Sequence, residues 1–344
     1  MTTVVIASYF EEEYVRRIRG VDGRLRVLYR EDLVPPPRWP GDHAGPEKWE
    51  RTPEDDEEFL KMLGEAEVLY DFPRGHMDDL ARSAPELKWV QGSMAGAGEV
   101  AQKAGLADTD VVVTTASGIY SGPLAEFTLM GMLQHAKDLG RLRRDKAGRV
   151  WRQGAVGTLE GKTLCIVGMG SIGRAIARRA RPFGMRIVGV KRTVREDDEA
   201  WGYADALYPT AELHSALSEA DYVAVTLPGT PETRHLIDAE AITAMRQGAY
   251  FVNVGRGAVV DEAALVEALE GGHLSGAALD VFEVEPLPEE SPLWGLDNVI
   301  VSAHTTDVVP DLINVAQTDL FCENLRRYLA GEELLNVLDK RLLY

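Results

Sequence analysis

The sequence predicts an α/β protein with two doubly wound parallel sheets, and three observations carry that reading. Short apolar runs alternate with helix-patterned stretches along nearly the whole chain, as in a parallel sheet covered by helices on both faces. One of those runs passes directly into a glycine-rich turn, Gly168-Met169-Gly170-Ser171-Ile172-Gly173, and then into another helix-patterned stretch. The length, 344 residues, exceeds one average domain and suits two.

Strand-like runs fall at Val4–Ile6, Leu25–Tyr29, Val68–Tyr70, Lys88–Gln91 and Val111–Thr114, with helical stretches such as Asp56–Gly64 and Met77–Ala84 between several of them. Residues 35 to 55 interrupt the alternation. Pro35, Pro36 and Pro37 are followed by Pro40, Gly41 and Gly45 and then by charges, which reads as a long solvated surface loop. From Pro123 to about Arg144 the pattern is one long helix, with Leu124, Phe127, Met130 and Leu133 near one face. The alternation resumes with Thr163–Val167, Arg186–Val190, Tyr222–Leu227, Tyr250–Val254, Ser275–Leu279 and Val299–Ser302. It ends in an amphipathic helix from about Asp311 to Leu329.

Composition narrows the function classes. Lys+Arg is 37 against 55 Asp+Glu, a formal net charge of −18. Such a surface repels phosphate backbones and anionic lipid, so neither nucleic acid nor a membrane is expected as a partner. An anionic substrate then needs a locally basic site, which makes individual arginines worth following. The two cysteines, Cys165 and Cys322, lie too far apart for a zinc pattern or a disulfide framework, and no metal site is expected. The opening MTTVVIASYF lacks the basic start and long apolar stretch of a secretory signal, and no run approaches the roughly 20 apolar residues of a membrane span. The cytoplasm is the expected location.

The glycine turn has a physical logic. Gly168 permits the tight turn, Gly170 lets the backbone approach a pyrophosphate, and Gly173 lets the following helix pack against the strand. The anion then sits at the helix N-terminus, beginning at Ser171 and Ile172, where free N–H groups point at it. An ordinary structural turn is the plain alternative, but strand, turn, helix and second strand are the context a dinucleotide site requires. That second strand ends at Val190 and is followed by Lys191-Arg192-Thr193, where an NAD site usually carries an acidic residue for the ribose hydroxyls. A carboxylate there repels a 2′-phosphate, whereas a guanidinium binds one in two hydrogen bonds. NADP is therefore the preferred cofactor, with NAD the alternative.

Three later segments each end a strand-like run in polar residues: Val254-Gly255-Arg256-Gly257, Asp280-Val281-Phe282-Glu283-Val284-Glu285, and Ser302-Ala303-His304. Ligands of doubly wound sheets bind outside the carboxyl ends of the strands. Taken singly, Arg256 reads as a surface charge, Glu285 as a loop cap and His304 as a hydrogen-bonded core residue. As a set behind a cofactor motif they point to chemistry.

Together these segments resemble the D-isomer-specific 2-hydroxyacid dehydrogenase family, which includes glyoxylate/hydroxypyruvate reductases, D-lactate dehydrogenases and phosphoglycerate dehydrogenases. The resemblance covers nearly the whole chain and is strongest from Leu159 to His304. It implies a Rossmann cofactor domain, about residues 116–309, inserted in a flavodoxin-like substrate domain of residues 1–115 and 310–344, with hinges near Ser117 and Thr305. It also implies a homodimer, with the helix after Pro123 as a contact. The substrate it implies is a small 2-keto or 2-hydroxy acid.

In the family's terms Arg256 binds the substrate carboxylate and polarises its carbonyl, His304 is the acid/base, and Glu285 favours the protonated histidine. Ala95 and Gly96 match a loop whose N–H groups hold the carboxylate. Asp280 matches a nicotinamide contact. Leu227, Pro228 and Thr233 match the adenine-side wall and a polar cofactor contact, with Val254 and Gly255 also on the cofactor side. The chain departs from the family in having Ala303-His304-Thr305-Thr306 where Pro-His and small residues are usual. Glutamate at 285, where formate dehydrogenases carry glutamine, points away from formate oxidation. The competing readings are a dinucleotide-sensing, non-enzymatic protein of the corepressor type, and a related dehydrogenase of another substrate such as phosphite.

Overall fold

The structure is a computed structural model that describes residues 1–343. In chain order the elements are β1 (Thr2–Ile6), α1 (Glu12–Arg19), β2 (Leu25–Leu28), α2 (Pro53–Gly64), β3 (Val68–Tyr70), α3 (Leu80–Ser83), β4 (Trp89–Gln91), α4 (Gly98–Lys103) and β5 (Val112–Thr114). There follow α5 (Ser121–Ala136), α6 (Leu139–Ala147), β6 (Thr163–Val167), α7 (Ser171–Ala180), β7 (Arg186–Lys191), β8 (Ala206–Pro209), α8 (Leu213–Ser218), β9 (Tyr222–Val225) and α9 (Ala239–Ala244). The last are β10 (Ala249–Asn253), α10 (Glu262–Glu270), β11 (Leu274–Leu279), β12 (Val299–Val301) and α11 (Pro310–Ala330). The chain divides into two compact units, one of Met1–Tyr120 with the chain from Val308 onward, the other of Ser121–Asp307. Among the described residues no helix is long and apolar enough to cross a membrane.

The first unit is a parallel sheet in the order β2-β1-β3-β4-β5. Strand side chains alternate between faces. Val5, Leu69, Val90 and Val113 pack with Phe59 and Leu63 of α2. Val4, Ile6, Val68, Tyr70 and Trp89 take the opposite face with Val15 and Ile18 of α1 and Phe321 and Leu325 of α11. The Phe321 ring lies 4.9 Å from that of Tyr70 and 5.4 Å from that of Trp89. This burial returns the end of the chain to the unit in which it began. Beyond α11, Leu338 N–H donates to Val113 and Thr115 N–H to Asn336, which covers the free edge of β5.

The second unit is also parallel, in the order β12-β11-β10-β9-β6-β7-β8, with β6 fully buried. The strand order reverses between β6 and β9, the switch point at which doubly wound sheets bind ligands. Its core gathers Val167, Val188, Val223, Phe251 and Leu279.

Three expectations change. The long helix from Pro123 to Arg144 is two helices, because Asp138 takes a left-handed φ of 50° and its carboxylate accepts the Arg141 N–H that opens α6. Met130, expected on the buried face, is 44% exposed. The sheet gains β8, four residues of which only Leu207 is buried, ending in a proline that only an edge strand tolerates.

The 35–55 segment is a solvated surface loop, as expected, that is also tied down at a few residues. Its His43 bridges the Tyr9 carbonyl (2.8 Å) and Asn314 Oδ1 (3.1 Å). Arg51, stacked 3.6 Å over Phe59, donates to the carbonyls of Leu33 and Arg74. Tyr9, Leu33 and Arg74 all follow β1, β2 or β3, so the segment lies over the carboxyl ends of those strands.

Replacing the fully buried Phe321 by alanine removes the ring that joins α11 to β3 and β4. It is expected to cost about 3–5 kcal/mol in urea unfolding. A loss below about 1 kcal/mol would show that α11 is not anchored there.

Candidate active site

The glycine turn between β6 and α7 is shaped by close approach. At Gly168, φ is 108° and an added Cβ would lie 2.7 Å from Thr226 Oγ1; at Gly173 it would lie 2.0 Å from the Gly168 carbonyl oxygen. Any side chain at either position displaces the turn. At Gly170 the space where a Cβ would project is open. Gly170 is also the N-cap of α7, with no side-chain cap, so the first-turn N–H groups from Ser171 to Gly173 remain available to an anion. The residues present therefore fit a dinucleotide pyrophosphate.

At the end of β7, Lys191 pairs with Asp198 and so closes the loop between them, while Arg192 and Thr193 are exposed. Glu232 is held below the usual carboxylate range by a backbone hydrogen bond and by Thr230, with a smaller contribution from the nearby Arg192 charge. Thr233, expected as a polar cofactor contact, is seen bracing its own turn: its hydroxyl donates to the Pro228 carbonyl (2.7 Å) and accepts the Thr230 N–H (2.8 Å). Leu227 and Pro228 are half-buried beside it. A Cβ on Gly255 would lie 2.6 Å from the Leu227 carbonyl oxygen, so the turn after β10 is pressed against this wall. Val254 is buried and donates to Val225.

Arg256, Glu285 and His304 follow β10, β11 and β12, neighbouring strands of one sheet. Asn253, buried at the end of β10, shapes the first turn: its amide donates to the Arg256 carbonyl (3.2 Å) and its Oδ1 accepts the Gly255 N–H (3.0 Å). In the second turn Glu285 Oε1 accepts the Phe282 N–H at 3.0 Å. Glu285 Oε2 then accepts from His304 Nδ1 at 2.9 Å, which leaves Nε2 as the nitrogen free to exchange a proton with a substrate.

His304 stands at a left-handed φ of 54°, a conformation that costs a non-glycine residue about 1 kcal/mol or more. Asp280 holds it there. Its buried Oδ1 accepts the N–H groups of Thr305 (3.2 Å) and Thr306 (3.3 Å), and its Oδ2 the Thr306 hydroxyl (2.7 Å). Asp280, expected at the nicotinamide, is seen to hold the His304 loop. The threonines at 305 and 306, unusual for the family, make that contact.

The electrostatics follow from the geometry. The hydrogen bond to Glu285, and next its charge, raise the His304 pKa above the ordinary value, while burial and the Arg256 charge oppose the rise. Burial pushes Glu285 up, but the hydrogen bonds from His304 and the Phe282 N–H, with the charges of His304 and Arg256, outweigh it and hold the carboxyl low. Asp307, three residues past the histidine, is raised by burial and by the Asp280 charge. The sequence assigns no role to Asn253 or Asp307, and marks Thr306 only as a departure from the family. Asn253 lies in the strand-like run Tyr250–Val254, but its two bonds to the turn appear only in the fold.

In the first unit, the loop after β4 carries Ala95 and Gly96, both half-buried. Neither N–H donates to an acceptor among the described residues.

Replacing Glu285 by glutamine removes the charge that raises His304 and leaves the burial that lowers it. The His304 pKa, followed by NMR titration, is expected to fall below the ordinary histidine value. An unchanged titration would mean that Glu285 does not set it.

Comparison with known proteins shows which family the chain belongs to. Residues 129–306 match the model of the D-isomer specific 2-hydroxyacid dehydrogenase, NAD binding domain. A D-3-phosphoglycerate dehydrogenase of Methanocaldococcus jannaschii is 32% identical over 287 residues, 82% of this chain; the chain spans only 53% of that relative's length. A glyoxylate reductase of Aeropyrum pernix is 32% identical over 309 residues, 86% of this chain and 89% of that one. A D-isomer specific 2-hydroxyacid dehydrogenase from Xanthobacter autotrophicus Py2, solved in complex with NADPH and MES, matches with a TM-score of 0.79 and 30% identity over 100% of this chain and 99% of that one. With a family model over more than half its length and the family's pair of parallel-sheet folds, the chain belongs to the D-isomer specific 2-hydroxyacid dehydrogenases.

Proposed function

We propose that the chain reduces a small 2-keto acid of the glyoxylate or hydroxypyruvate type to the D-2-hydroxy acid, and runs the reverse, with NADPH preferred over NADH. The observation that carries the reading is the grouping of Arg256, Glu285 and His304 on three adjacent turns, with His304 Nδ1 engaged by Glu285. The glyoxylate reductase relative and the NADPH-bound neighbour support the substrate class and the cofactor.

Gly168, Gly170, Gly173 and the first turn of α7 hold the pyrophosphate. Arg192, with Thr193, receives the 2′-phosphate. When bound, the nicotinamide supplies a hydride to the carbonyl carbon. Arg256 matches the substrate carboxylate in two charge-assisted hydrogen bonds and stabilises negative charge developing on the carbonyl oxygen. Ala95 and Gly96 offer their N–H groups to the substrate carboxylate. His304 donates its Nε2 proton to the carbonyl oxygen and recovers it in the reverse direction. Glu285 stabilises the imidazolium and fixes the ring orientation. Asp280 keeps the loop beneath His304 in place.

Loss of absorbance at the nicotinamide band, with NADPH and NADH separately over a panel of 2-keto acids, tests the reading. His304→Ala is expected to lower turnover by about 100- to 10,000-fold, the usual share of a general acid, while NADPH still binds. Full activity in that variant would refute the mechanism. No turnover by the native chain despite NADPH binding would favour a dinucleotide sensor. Arg192→Ala is expected to raise the KM for NADPH about tenfold or more, the worth of a charge-assisted hydrogen bond, and to leave NADH use nearly unchanged. Equal losses for the two cofactors would show that Arg192 does not read the 2′-phosphate.

A further inference from the structure

Small residues that present unpaired donors bind an anion well only when the backbone is already still, since ordering it on binding subtracts from affinity. The loop of Ala95 and Gly96 is tied down chiefly at Ser93, which is itself buried. The Ser93 carbonyl accepts from the Tyr120 hydroxyl and from Gln317 Nε2 (2.9 Å). Gln317 Nε2 also donates to the Tyr120 oxygen (2.7 Å), and Gln317 Oε1 accepts from the Tyr70 hydroxyl (2.8 Å). Tyr70 thus sets which end of the amide faces the loop.

The Ser93 hydroxyl in turn donates to Asp71 Oδ2 (2.8 Å), and Asp71 Oδ1 accepts the Phe72 N–H (2.9 Å). Asp71 is buried and stands at a left-handed φ of 65°, a costly conformation for a non-glycine residue. One residue further on, the Met94 carbonyl accepts the Ala116 N–H (3.0 Å). Gln317 lies 224 residues from Ser93 in sequence. Tyr120 is the last residue before the chain enters the second unit, and α11, which carries Gln317, is the first helix after its return. The loop is therefore braced by the stretches that lead into and out of the second unit, together with the end of β3.

We propose that Tyr120, Gln317 and Asp71 are positioning residues for substrate recognition: they clamp Ser93 so that the N–H groups of Ala95 and Gly96 are set to receive the substrate carboxylate. This rests on the reading above that the loop binds that carboxylate. All three side chains act through Ser93, so losing one changes how tightly the keto acid binds rather than how fast His304 transfers its proton.

Kinetics of full-length Tyr120→Phe, Gln317→Leu and Ser93→Ala, with NADPH and glyoxylate or hydroxypyruvate, test the clamp. The KM for the keto acid is expected to rise about tenfold, equivalent to about 1.4 kcal/mol, with kcat within about twofold of native and NADPH affinity unchanged. Matching losses in kcat and NADPH affinity would make these residues merely structural and overturn the proposal, as would an unchanged KM. Ala95→Pro, which deletes one of the N–H groups, reports on the underlying reading. If it leaves KM unaltered, the loop does not bind the carboxylate and both readings fall. If it raises KM while the clamp variants do not, the clamp alone is wrong. Hydrogen exchange of the amides of residues 93–97 needs no turnover. It is expected to quicken in Tyr120→Phe and Gln317→Leu, and unchanged exchange would also overturn the proposal.

Discussion

The hydrogen bond of 2.9 Å between His304 and Glu285 is the contact on which the second unit's site depends, and neither partner holds it unaided. Glu285 is aimed by the turn after β11, where its other oxygen accepts the Phe282 N–H. That turn is pressed against Gly257, where an added Cβ would come within 1.9 Å of the Phe282 carbonyl carbon. The Glu283 N–H is further tied to Glu262 Oε2 at 3.1 Å. On the histidine side, Asp280 offsets the left-handed backbone at His304 by accepting from the two residues that follow. A single histidine is thus set by three turns from three strands. This is why doubly wound sheets concentrate function at the carboxyl ends of their strands.

The same economy of space governs the nucleotide side. Gly168, Gly173 and Gly255 are each without a side chain because a neighbouring backbone or hydroxyl occupies the volume. The uncapped start of α7 keeps donors that fit an anion, in a chain whose 18 excess acidic groups repel one at long range. Local donors prevail over the long-range field because they act at hydrogen-bond distance, where screening is weak.

The first unit solves a different problem. Its polar residues Asp71, Ser93 and Gln317 are buried and would cost free energy if unpaired, yet each finds partners in one connected network. A network closed in this way orders the backbone beside it, and that backbone carries Ala95 and Gly96, whose N–H groups meet no acceptor among the described residues. The nearby 35–55 segment is fixed by similar means, through His43, Arg51 and Arg74.

What the sequence determined by itself was whatever depends on neighbours along the chain. The alternation of strands and helices, the glycine turn with its flanking strand and helix, and the placement of Arg256, Glu285 and His304 just past strand ends all follow from local pattern and spacing. Tertiary structure decided the rest. Asp138 breaks a helix whose apolar periodicity runs through it, β8 exists only because β7 offers it an edge, and the proline-rich segment packs because Tyr9, Arg74 and Asn314 await it. The pairing of Asp280 with Thr306 spans 26 residues and that of Ser93 with Gln317 spans 224. Such contacts carry no local signature, because a hydrogen bond depends on distance in space, and only the folded sheet sets that distance.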